Sequence, residues 1–180
     1  MPNSTEIDQI IPRGFCLRCD ICCRFLDRLS AMRPYFLNEE IAKIEKSTSR
    51  IFKKNTGGSF IKLVRFNNMY ICPYFNFKKN ICSIYKNRPF DCRLYPLLLM
   101  RKDNEVFLCA DLNCPFIKEN LNNEILKNYA VYLKEIFAKE KTIKTIARNK
   151  KLIGNYVQDV VFFLKLSGLS KNLNDLRKRI

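Results

Sequence analysis

Histidine is absent from this chain of 180 residues. Any zinc or iron site must therefore be built from sulfur, with at most a carboxylate or water beside it. Glycine is scarce, with five in all. No G-x-G-x-x-G or similar loop is present, which argues against a glycine-cradled cofactor. The N-terminal stretch MPNSTEIDQIIPRG lacks a basic region followed by an apolar run, so no signal peptide is expected. The apolar run near Val160 to Leu166 is far too short to cross a bilayer, so no membrane partner is expected. The expected compartment is the cytoplasm, where thiols stay reduced.

Against these absences stand nine cysteines. Four crowd into one run, Cys16, Cys19, Cys22 and Cys23, reading C-x2-C-x2-C-C. Cys72, Cys82, Cys92, Cys109 and Cys114 follow, and the C-terminal third has none. In a reducing compartment, clustered cysteines point to metal or redox chemistry rather than structural disulfides. C-x2-C is a short loop that lets two thiolates converge on one metal, and repeating it adds a third. Cys16, Cys19 and Cys22 are thus expected to share a metal or cluster. The same spacing holds three corners of a 4Fe–4S cluster in bacterial-type ferredoxins, where a cysteine before proline is the common fourth ligand. Cys72-Pro73 and Cys114-Pro115 offer that pattern.

Adjacent side chains usually diverge, so Cys22 and Cys23 suit two neighbouring metals, or one ligand and one outer thiol. Cys72, Cys82 and Cys92 are ten positions apart, with turn signals between them. Such spacing returns successive loop tips to one point. With Cys114 the candidate ligands number eight. They suit two four-cysteine zinc sites, one iron–sulfur cluster with spare thiols, or two clusters, and spacing does not choose. Cys109, within Val106-Phe107-Leu108-Cys109, reads as a small buried hydrophobe.

The fold class read from these patterns is α+β. A small irregular cysteine-rich core with short β-hairpins and one helix is expected over 14–118. A basic helical extension over 119–180 is expected to cover it. Asn38 reads as an N-cap, with Glu39 and Glu40 in the first turn of a helix over about 39–54. Phe60 to Phe66 and Met69 to Cys72 read as a hairpin around Asn67-Asn68. A second turn at Phe77 to Asn80 leads into Ile81-Cys82. Arg24 to Pro34 is expected to start as a helical turn, Glu105 to Cys109 as a last strand, and residues 1–13 as a loose lead-in. Helices are expected from Leu121 to Phe137, Lys141 to Lys150, Tyr156 to Leu166 and Leu173 to Ile180.

The net charge of +16 invites a nucleic-acid or acidic partner, for which the basic helices from Lys139 to Lys151 are the candidate surface. The charge is spread without a long basic run, and the abundance of Lys, Ile and Asn fits AT-rich codon usage equally well.

The blocks CLRCDICCRF, CPYF at Cys72 and CSIYKNRPFDCRLYP from Cys82 to Pro96 occur in order. Together they resemble the YkgJ-like CxxCxxCC cysteine-cluster family of zinc- or iron-chelating proteins, over Gly14 to Phe116. That resemblance implies metal binding by Cys16, Cys19, Cys22, Cys23, Cys72, Cys82 and Cys92, with Cys114 the better match for a later ligand than Cys109. Many members carry Gly before the CC pair, where this chain has Ile21. Arg88 and Arg93 are expected to form an outer ring of donors around metal-bound sulfur, since guanidinium neutralises clustered thiolates. The competing expectation is that they bind loop carbonyls or face solvent. Tyr85 and Tyr95 read as core residues. A flagellin lysine methylase carries a similar cluster, so a cluster-dependent methyltransferase is the alternative function, and a basic zinc module for nucleic acid is another. Oligomeric state is left open.

Overall fold

In the computed structural model, residues 7–19, 21–48, 52, 57–156 and 159–177 are described. They form two units, Ile11–Arg93, and Met1–Ile10 together with Leu94–Ile180. The expected division at 118/119 lies inside the second unit. The fold is α+β in both units.

The unit Ile11–Arg93 is built from short pieces. It opens with the single turn α1 (Arg13–Cys16) and a 3-10 turn at Ile21–Cys23. Next come β1 (Arg24–Phe25), β2 (Tyr35–Leu37) and α2 (Asn38–Ser47). Then follow β3 (Gly58–Phe60), β4 (Val64–Phe66), β5 (Met69–Ile71), β6 (Phe75–Asn76) and β7 (Ile81–Cys82). A 3-10 turn at Tyr85–Asn87 precedes α3 (Phe90–Leu94), which ends at the unit boundary. The strands pair antiparallel as β1-β5-β4, β2-β3 and β6-β7. Asn67 and Asn80 take positive φ at the two expected turns, a conformation Asn tolerates well. Gly58 is required where it stands. Its φ is 143°, and a Cβ there would lie 2.4 Å from the Phe36 carbonyl oxygen. The core is aromatic and aliphatic, with Phe25, Phe36, Ile41, Ile44, Phe52, Ile61, Leu63, Tyr74, Phe75 and Ile84 around buried Cys72.

Several boundaries differ from expectation. Asn38 is the first helical residue of α2 and Leu37 is the N-cap. The helix ends at Ser47 because Thr48 is extended, and residues 49–51, 53 and 54 of the expected span lie outside the described residues. The hairpin forms, but its first strand is only Val64–Phe66, since Gly58–Phe60 pairs with β2 instead. Arg24 starts a strand rather than a helical turn, because its backbone completes the sheet beside β5.

The second unit is more regular. β8 (Leu97–Lys102) and β9 (Glu105–Asp111) form a hairpin whose Asp103-Asn104 turn has two positive φ values. Then come α4 (Pro115–Asn120), α5 (Glu124–Ala138), α6 (Glu140–Arg148), β10 (Ile153–Gly154), β11 (Val160–Lys165) and α7 (Ser167–Arg177). The sheet order is β10-β8-β9-β11, with β10 parallel to β8 and the rest antiparallel. Val106, Leu108, Ala110, Leu126, Leu133 and Ile146 are buried within it. Asn123 caps α5 by accepting from the Ile125 N–H at 3.2 Å. The lead-in is not loose where described: Ile7 is buried, and Asp8 is held between the hydroxyls of Tyr132 (3.0 Å) and Tyr129 (2.7 Å).

The helix expected over Tyr156 to Leu166 is instead strand β11. Its Val160-Val161-Phe162-Phe163-Leu164 run favours extended backbone, and β9 supplies a free edge for it to pair with. Consequently Glu105–Asp111 is not the last strand. Gly154 and Gly168 lie in β10 and α7, and residues 178–180 of the last expected helix lie outside the described residues. Among the described residues no helix is long and apolar enough to cross a membrane.

Candidate metal centre

The cysteines of Ile11–Arg93 are brought together by strand ends. β1 and β5 pair in register Arg24↔Ile71, and the ladder runs one step further, with the Cys72 N–H donating to the Cys23 carbonyl at 3.0 Å. Cys23 and Cys72 thus stand side by side at one end of the sheet. The chain turns back after Cys72, whose carbonyl accepts from the Phe75 N–H at 2.9 Å. β6 then pairs with β7 in register Phe75↔Cys82, which returns Cys82 to the same region. The turn at Tyr85–Asn87 leads into α3, where Cys92 sits.

The electrostatics link five of these thiols. At Cys23, the hydrogen bond with the Cys22 thiol is the largest influence, followed by burial and by the charges of Cys22, Cys72 and Cys92, and all push its proton affinity up. Burial pushes the Cys92 thiol well up, aided by Asp91, Cys72, Cys22 and Cys82. Burial likewise raises Cys82, with Cys22 adding to it. The Cys82 sulfur also accepts the Ile84 backbone N–H, and that bond, like nearby Arg88, favours its thiolate. Cys92 therefore lies within electrostatic reach of Cys22, Cys23, Cys72 and Cys82, and Cys22 within reach of Cys23 and Cys82 as well.

The expected divergence of Cys22 from Cys23 is not what the fold produces. The tight turn Ile21–Cys23 lets the two sulfurs meet, although neighbouring side chains leave the backbone in different directions. Cys16 lies at the end of α1, and its charge reaches the Tyr85 ring. The Cys19 N–H donates to the Cys16 carbonyl at 3.2 Å. Cys114 belongs to the second unit, buried just before α4 with Pro115 at the first helical position. Cys109 is buried in β9 of that unit, where burial pushes its thiol up to about 11. None of the nine cysteines is in a disulfide.

This donor set suits a thiophilic cation. Without one, burial and mutual repulsion keep the enclosed thiols protonated, whereas a dication among them reverses the sign of those interactions. Among the described residues no three Cys, Asp or Glu side chains already stand in metal-holding geometry, so the sulfurs are neighbours rather than a finished cage.

Arg88 and Arg93 reach their surroundings differently. The Arg88 Nε donates to the Tyr85 carbonyl at 3.2 Å, and its guanidinium lies 3.8 Å from the centroid of the Tyr85 ring. Arg13 lies 5.4 Å from the same centroid, so Tyr85 is flanked by two cations rather than packed as a simple core residue. Arg93 Nη2 stands 3.8 Å from Glu40 Oε1. In the other unit, the Tyr95 hydroxyl donates to Asp111 at 3.1 Å.

Glu40 and Asp91 were not singled out by sequence as parts of the site. Glu40 Oε2 accepts from the Leu37 N–H at 2.9 Å and Oε1 from the Phe90 N–H at 2.6 Å. Asp91 Oδ2 accepts from the Tyr35 N–H at 2.8 Å. Burial pushes Glu40 up to about 7 and Asp91 up to about 6. The only sequence signal for Glu40 was its place in the first turn of α2. The fifty-residue link to Phe90 had none.

Residues 15–115, more than half of the chain, match the family model CxxCxxCC, described as "Putative zinc- or iron-chelating domain". No curated protein matches, and no solved structure matches.

Proposed function

We propose that this chain, which belongs to the CxxCxxCC family of zinc- or iron-chelating domains, holds its metal among Cys22, Cys23, Cys72, Cys82 and Cys92, and that the centre clasps the unit Ile11–Arg93. The observation that carries the reading is that Cys92 on α3 lies within electrostatic reach of the other four thiols, drawn from the C-x2-C-x2-C-C run and two strand ends. Cys16 at the end of α1 and Cys19 just after it extend the donor set within the same unit. Arg88 offsets the thiolate charge at Cys82.

When bound, the metal supplies the positive charge that stabilises the thiolates. The chain supplies convergence, a core of Phe25, Phe75 and Ile84 that holds Cys72 and packs against Cys23 and Cys82, and the Ile84 N–H to sulfur. Sulfur-only ligation favours a structural or metal-handling role over hydrolysis, because structural sites are closed. A reducing compartment such as the cytoplasm suits these free thiols.

The test is metal analysis and visible absorption of protein purified without oxygen. Wild type is expected to carry near-stoichiometric zinc or iron, with broad brown absorption if the iron is held as an iron–sulfur cluster. A Cys72→Ser, Cys92→Ser variant is expected to carry little of either. Equal and negligible metal in both proteins, with equal melting, sinks the reading.

A further inference from the structure

We propose that Glu40 and Asp91 are positioning residues for Cys92, forming a reciprocal clamp that holds α3 against the corner between β2 and α2. The inference rests on the reading that Cys92 takes part in holding metal.

α3 has five residues, too few for a helix to persist on its own. Its first residue, Phe90, has an N–H that no intrahelical carbonyl can accept. Glu40 Oε1 takes that N–H at 2.6 Å across fifty residues of chain. In the opposite direction, Asp91 on α3 takes the Tyr35 N–H of β2 at 2.8 Å. Each segment thus offers a carboxylate to the other segment's backbone. Two bonds running in opposite directions restrict rotation as well as separation, which a single bond does not.

Further contacts complete the clamp. Glu40 is only 8% exposed, and its second oxygen is already used by the Leu37 N–H of its own helix start. One oxygen of Glu40 is therefore fixed by its own helix, independently of α3. Arg93 approaches the same carboxylate at 3.8 Å, and the Phe90 ring is fully buried. Cys92 lies between Asp91 and Arg93, so both of its neighbours are tied to this corner. With both oxygens accepting N–H donors, Glu40 is poorly placed to bind metal and well placed to fix a residue that does.

Cobalt(II) serves as the probe, because thiolate-to-cobalt absorption reports how many sulfurs bind. Four metal-free proteins prepared under reducing conditions would be titrated: wild type, Glu40→Gln, Asp91→Asn and Leu63→Ala. Leu63 is a buried core residue of the same unit and controls for lost stability. Glu40→Gln is expected to weaken cobalt affinity by roughly tenfold to a hundredfold and to lower the thiolate absorption. Asp91→Asn keeps an oxygen for the Tyr35 N–H and is expected to stay close to wild type. Leu63→Ala is expected to melt earlier yet bind as wild type does. Wild-type affinity and spectrum in Glu40→Gln overturn the positioning role alone, as does equal weakening in Leu63→Ala. Wild type that takes no cobalt overturns the metal reading and this inference with it. If Glu40→Gln does not fold, amide exchange of metal-free wild type decides: the Phe90 and Tyr35 N–H groups are expected to be protected, and fast exchange overturns the clamp.

Discussion

The two units of this chain reach order by different means. The unit with β8 to β11 has strands of six and seven residues, a fifteen-residue helix, and a core of Leu97, Leu99, Leu108, Ile117, Leu126 and Leu133 that is almost fully buried. The unit Ile11–Arg93 has strands of two or three residues and one helix of ten. It also carries seven of the nine cysteines. Short strands supply few ladder bonds, so cross-links between distant segments matter more there. Both units bury an apolar core, and Ile11–Arg93 adds to its core the clustered thiols and the Glu40 and Asp91 carboxylates.

The largest effect should come from removing metal. A strong chelator is expected to cost Ile11–Arg93 on the order of 10 kcal/mol of metal-linked stability. Amide exchange should rise through β1, β5 and α3 while α5 and β9 stay protected. Uniform loss of protection in both units would erase the contrast. Leu133→Ala reverses the experiment. Leu133 is fully buried in α5, so truncation should cost about 2–5 kcal/mol, read by denaturant unfolding, with metal content unchanged.

Glu40 gives a pH signature confined to the cysteine-bearing unit. Its folded value of about 7 lies above its ordinary value of 4.5, chiefly because burial disfavours the charge. The folded state therefore holds the proton more tightly. This stabilisation is fully present below the unfolded value and is lost as pH rises through about 7, up to about 3 kcal/mol in all. Denaturation followed across that window should show stability falling with pH in wild type, with the slope flattened in Glu40→Gln. Smallest is the cap of α5: Asn123→Ala should cost about 1 kcal/mol in the other unit and leave the cobalt spectrum untouched.

Local features were legible where local chemistry decides them. Asn67 and Asn80 mark turns because Asn accepts positive φ, and Glu39 and Glu40 mark the start of α2 because carboxylates suit a helix N-terminus. The amphipathic stripe of α5 and the apolar setting of Cys109 were equally readable. β11 was not. Its apolar residues fit either period, and only the open edge of β9 makes it a strand. The pairing of β3 with β2 was hidden likewise, because it joins segments about twenty residues apart.

For the candidate site, sequence by itself determined the chemistry: no histidine, clustered cysteines, and hence sulfur as the donor of any zinc or iron. Side-chain identity settles that without reference to shape. The tertiary structure decided which thiols become neighbours, that Cys22 and Cys23 meet rather than diverge, and that Glu40 and Asp91 grip the segment bearing Cys92. Those outcomes depend on strand registers and hydrogen bonds between residues some fifty positions apart, and spacing along a chain carries no record of where its distant parts will touch.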